Sequence, residues 1–216
     1  MKKRTKIILS FFIVIIIALP LSFCAMWVER DKTTNIGDYN KYFGGNGKYR
    51  QNYVRWLGRN GTNNIDIFPE STPDSAKVED FCYYYYNPFE SNFVSYLVYT
   101  CSDEDFMEET GRLSKLNSDK DYLIYGSTGF NYPISAVYAN DSGYIYALAD
   151  KKNNRLIYVG ISFTDNFTDI NYKKIIDEKY LPINFDAEGG NSTQRKEDEE
   201  SIERWKKEIQ EDNRSD

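Results

Sequence analysis

Hydrophobic positions along the chain fall into three successive patterns, and each predicts a different kind of element. Ile7 to Val28 is an uncharged run, IILSFFIVIIIALPLSFCAMWV. At a rise of ~1.5 Å per residue it spans roughly 33 Å, enough to cross a hydrocarbon core of about 30 Å. From Glu29 to about residue 64 the chain is polar with scattered aromatics and repeated glycines, which predicts short helical turns joined by loops. After Pro69 and Pro73, runs dense in β-formers begin. Val78–Tyr86 and Phe93–Cys101 flank the turn-like stretch Asn87–Asn92, the pattern of an antiparallel hairpin.

The spacing then changes. Ser102 precedes Asp103, Glu104 and Asp105, and Phe106, Thr110, Leu113 and Leu116 recur at helical intervals, so a capped helix over Asp103–Leu116 follows. Short strands are predicted at Ile65–Phe68, Tyr122–Tyr125, Ile134–Ala139, Tyr144–Ala149 and Leu156–Phe163, and a second short helix at Asp169–Tyr180. The main order is β-β-α-β-β-β-β. The fold class is α+β: an N-terminal transmembrane helix, then an antiparallel β-sheet domain with a helix packed on one face. The divisions are a basic end at 1–6, a transmembrane signal anchor at 7–28, a membrane-proximal segment at 29–64, the extracytoplasmic domain at 65–185 and a charged tail at 186–216.

If Asn87 and Asn92 pair, Phe81, Tyr83 and Tyr85 oppose Val98, Tyr96 and Val94 on a core-facing side. The other side then carries Cys82, Tyr84 and Tyr86 with Leu97, Tyr99 and Cys101. Cys82 and Cys101 lie four positions out of register, roughly 13 Å along a strand, too far for the ~7 Å a disulfide tolerates. Free thiols are expected.

Composition narrows the chemistry. The chain has 216 residues and no histidine, so Ser-His-Asp and Cys-His nucleophile activation and the HExxH metal helix are excluded. The net charge is -6 although Lys2, Lys3, Arg4 and Lys6 precede the apolar run. An acidic body lacks the basic footprint that nucleic acid requires. Those same cations place the amino terminus in the cytoplasm by the positive-inside rule, with the remainder outside, at the plasma membrane. Leader cleavage, which would make the protein secreted, and lipidation at Cys24 are the alternatives to a retained anchor. Gly47-Lys48 does not extend to a phosphate-loop pattern, because Tyr42 and Tyr49 stand where it needs glycine and a hydroxyl residue.

No catalytic, cofactor-binding or metal-ligating residues emerge. The acidic group Asp103, Glu104, Asp105, Glu108 and Glu109 reads as a solvated helix start rather than a cation loop. Glu70, Asp74, Glu79 and Asp80 are spare acids for a carboxylate-dependent hydrolase acting on cell-wall polymer, the alternative function. Tyr84, Tyr86 and Tyr99 are candidates for an aromatic contact platform, and Trp205, in a stripe with Ile202 and Ile209, for a partner anchor. The stretches Ile67-Phe68-Pro69-Glu70-Ser71, Val78-Glu79-Asp80-Phe81, Tyr83–Tyr86 and Tyr96-Leu97-Val98 resemble a group of uncharacterised exported or single-pass proteins of Gram-positive bacteria, over about residues 39–182. That resemblance implies an envelope location and this architecture; it brings no catalytic residues. The expected function is a non-catalytic, membrane-anchored domain outside the cytoplasm that binds a peptide, protein or cell-envelope component.

Overall fold

The computed structural model describes residues 29–48, 67–87, 92–116, 118, 127–140, 143–162, 170–184, 200–207 and 210. The apolar run 7–28, the strand expected at Tyr122–Tyr125 and most of the tail lie outside them. Among the described residues no helix is long and apolar enough to cross a membrane.

The strands are β1 (Glu29–Thr33), β2 (Lys77–Asn87), β3 (Asn92–Thr100), β4 (Ile134–Asn140), β5 (Gly143–Asp150) and β6 (Arg155–Ser162). They form one six-stranded sheet in the order β1-β2-β3-β6-β5-β4. Every pairing is antiparallel. The helices α1 (Tyr39–Phe43) and α2 (Asp103–Ser114) pack beside it, and two 3-10 turns, Tyr172–Lys174 and Glu178–Tyr180, stand where a second helix was expected. The predicted α+β class and the hairpin β2–β3 match this architecture, while Ile67 and Phe68 sit in a turn rather than a strand.

Both faces of the sheet are covered. One carries α1, Phe68 and α2 over Phe81, Tyr83, Tyr85, Leu97, Tyr99, Leu156 and Tyr158. The other carries residues 170–181 over Cys82, Val94, Tyr96, Val98, Tyr146, Val159 and Ile161. β3 is therefore buried on both sides, which is why its sequence FVSYLVYT is a continuous apolar run without alternation.

Two-sided burial also explains the first correction. Asn92 pairs with Tyr86, and Phe81, Tyr83 and Tyr85 oppose Leu97, Ser95 and Phe93, one residue away from the expected register. A one-residue slip moves a strand's side chains to the other face, and alternation normally forbids it. Here either register buries apolar groups, so the pattern could not choose. Asn87 instead pairs with Glu29, because β2 runs past the hairpin to hold β1. The described part of the 29–64 segment is thus built into the domain: β1 joins the sheet, and Tyr39, Tyr42 and Phe43 are core residues.

Cys82 and Cys101 are free. They pack against opposite faces of the sheet, a stronger separation than the axial offset alone.

Candidate functional site

The richest polar arrangement among the described residues lies where α2 crosses the sheet. Ser102 starts that helix as expected: its Oγ accepts from the Asp105 amide at 3.2 Å and donates to the Asp105 carboxylate at 2.9 Å. Ser75 also donates to Asp105, and its Oγ accepts from the Ser102 amide at 2.9 Å, tying the 69–75 segment to the helix start. Phe106 and Leu113 bury the helix against the sheet.

Glu109 falls inside this apolar stripe, three residues after Phe106 and four before Leu113. Its carboxylate accepts from Arg112 Nε and Nη2, both at 2.6 Å, and from the Tyr158 hydroxyl at 2.6 Å. Arg112 Nη2 also donates to the Ile67 carbonyl at 2.9 Å. Tyr158 OH is 3.3 Å from Tyr99 OH, extending the chain of polar groups to β3. Burial holds both tyrosine hydroxyls well above the ordinary phenol range, with the Glu109 charge adding to it. Burial opposes the Arg112 charge, yet Glu109 raises the guanidinium pKa on balance.

Above this network the surface is hollowed twice. One hollow, of about 450 Å³, is lined by Pro69, Ser71, Pro73, Glu108, Arg112 and Lys115 among others, with Tyr99 at its base. Its neighbour, of about 460 Å³, shares Pro69, Ser71, Glu109 and Arg112 and adds Phe68, Glu70 and Leu116. Together they make a cleft between the proline-bounded segment and α2. Along α2 the acids come first and the bases last, an order that complements the helix dipole. A third hollow, of about 510 Å³, opens in the opposite layer around Asn131, Lys173, Glu178, Pro182 and Asn184. Although larger, among the described residues it shows no buried hydrogen-bond network comparable to the Glu109 cluster.

Within the cleft, Glu109 is poorly placed for proton transfer. A general base needs an accessible lone pair, and a general acid needs a proton to give. Glu109 has its two oxygens committed to a guanidinium and a phenol. Glu79 is forked onto Arg155 at 2.8 and 3.0 Å, at the register irregularity between Val78 and Asp80. Asp80 is raised by burial, and nearby Asp177 adds to the rise, while Asp74 is exposed. Of Glu70, Asp74, Glu79 and Asp80, Glu70 lines the cleft, beside Asp105, Glu108 and Glu109. Among the described residues no group of three or more His, Cys, Asp or Glu is arranged to hold a metal ion.

The aromatic candidates do not form one platform. Tyr84 and Tyr86 are half-buried and belong to one face; Tyr99 is fully buried on the other. The register slip is the cause. The two tyrosines that share a face are capped by β1, with Arg30 4.4 Å from the Tyr86 ring and Lys32 5.2 Å from that of Tyr84. Trp205, in the helix 200–207, is 62% exposed.

Sequence reasoning missed Glu109, Arg112 and Tyr158 as a unit. A signal for the first pair existed: a glutamate within the apolar stripe and an arginine three residues on. Tyr158, on a strand far along the chain, had none.

No family model, curated protein or solved structure matches the chain.

Proposed function

We propose that the protein is a membrane-tethered binding module, held by Ile7–Val28 with its amino terminus in the cytoplasm and its sheet domain outside. It captures a peptide, protein or envelope component without transforming it. The observation that carries this reading is the commitment of Glu109: the inward carboxylate of the cleft already satisfies Arg112 and Tyr158. Such a group stiffens the floor of a site but has no proton chemistry in reserve. The cleft walls, two prolines, Ser71, Glu108 and Lys115, suit an extended ligand with polar groups along it. The resemblance to exported single-pass proteins points to the same location. Exposed Trp205 is a second contact, toward a protein partner.

The test uses the full chain in detergent, mixed with washed insoluble envelope material and sedimented. Binding is expected to fall at least tenfold in Ser71→Trp and Lys115→Glu, with no soluble fragments released by the unaltered chain. Binding indifferent to both changes removes the cleft from the reading. Fragment release abolished by Glu108→Gln replaces it with the hydrolase.

A further inference from the structure

We infer that the end of the sheet holding Glu29 and Arg30 of β1 rests on phospholipid headgroups, with Arg30 as a phosphate contact. The inference rests on the reading of Ile7–Val28 as a retained membrane span.

The geometry leaves little freedom. Glu29, the residue after Val28 in sequence, is already paired with Asn87, so no stalk separates the apolar run from the sheet. At ~3.3 Å per residue, Arg30 lies within about 7 Å of the end of that run. Antiparallel pairing then gathers Tyr86 and Asn92, Phe93 and Ser162, and Gly143 and Asn140 at the same end. At the other end lie Lys77, Thr100, Arg155 and the turn 151–154. β2 alone has 11 residues, so the two ends are roughly 30 Å apart. A sheet fixed at Glu29 presents one end to the bilayer and holds the other away from it.

The side chains at the near end suit that place. Arg30 is exposed, lies over the Tyr86 ring and has no ion-pair partner among the described residues. Asp31, the neighbouring acid, points to the opposite face, where Tyr42 and Lys48 satisfy it at 2.9 and 2.7 Å. An arginine stacked on an aromatic ring keeps its donor edge available, and that edge matches phosphate. Tyrosine is itself favoured at the membrane–water boundary.

The experiment places a bimane label on Asn87→Cys or Lys152→Cys in the full chain, carrying Cys24→Ala, in nanodiscs containing headgroup-nitroxide lipid. Burial pushes the Cys82 and Cys101 thiols up to about 11, so they stay largely unlabelled at neutral pH. Quenching at position 87 is expected to exceed that at 152 several-fold, and to weaken in Arg30→Ala. Equal quenching at the two positions, or stronger quenching at 152, overturns the orientation. No change in Arg30→Ala overturns the phosphate contact. An alkaline-carbonate wash of natural membranes separates the two levels. Release of the chain sinks the anchor itself, whereas retention together with equal quenching sinks only the inference made here.

Discussion

A carboxylate 13% exposed, with a guanidinium forked on one side and a phenol on the other, behaves as part of the scaffold. Removing its charge leaves Arg112, 34% exposed, half-desolvated without its counterion and strips Tyr158 of a charged acceptor. Glu109→Gln is therefore expected to destabilise the protein by about 2–3 kcal/mol, below the range for a fully buried pair because water reaches Arg112. Glu108→Gln, one position along on the exposed face, should stay within about 0.5 kcal/mol of the parent. Urea midpoints of the two variants decide the matter; equal values would mean that the network contributes nothing. At this scale the sequence was only partly readable. Ser102 and the acids behind it announced the helix start, because capping is local. Whether Tyr84, Tyr86 and Tyr99 share a face depended on a register that β3 could not specify, since its neighbours on both sides are apolar.

Elements with local signals were legible and those with only tertiary support were not. α2, the β2–β3 hairpin and the three strands β4, β5 and β6 follow from capping, alternation and turn residues such as Lys151–Asn154. β1, with the sequence ERDKT, has no apolar side at all. Charges are what an edge strand carries to discourage a further partner, so its polarity reflects position in the sheet and hid its conformation. α1 is equally obscure, at five residues too short to be stable alone, and it exists because Tyr39, Tyr42 and Phe43 pack edge-on or tilted against Phe81 and Tyr83. What closes α1 is glycine. Gly44 caps its end, donating to the Asn40 carbonyl, and just beyond it a Cβ on Gly47 would run into the Tyr42 carbonyl oxygen, a backbone atom unable to yield cheaply. Gly47→Ala should cost about 1–3 kcal/mol and weaken the near-ultraviolet signal of the tyrosines it displaces. Gly111, in mid-helix with nothing within 4 Å of a built Cβ, gives the opposite expectation: Gly111→Ala should stabilise by up to about 1 kcal/mol. Equal denaturation midpoints for the two would refute both steric assignments.

Taken as a whole, the molecule is a sheet clad on both sides in tyrosine, and that composition fixes how it responds to pH. With no histidine anywhere in the chain, no side chain has its ordinary pKa between about 5 and 8, so stability should be nearly flat there. Above that range the buried hydroxyls and thiols take over. Burial and the hydrogen bond to Asp31 push Tyr42 up to about 12, and burial alone is the leading cause of the rises at Tyr96, Tyr99, Tyr146 and Tyr158. Cys82 and Cys101 rise to about 11 for the same reason. A folded pKa above the unfolded one means that the unfolded chain loses its proton first. The stabilisation is complete below the unfolded values, about 9 for thiols and 10 for phenols, and is lost as pH climbs from there toward the folded values. Each group ionised only in the unfolded chain steepens the loss by about 1.4 kcal/mol per pH unit. Urea midpoints should therefore agree between pH 6 and 8, begin to fall near 9 and collapse between 10 and 11. The difference spectrum of ionised phenol should appear together with unfolding rather than before it. Phenolate absorbance that rises at pH 10 with the sheet intact would show that these tyrosines are open to solvent, and the two-sided core would have to be redrawn.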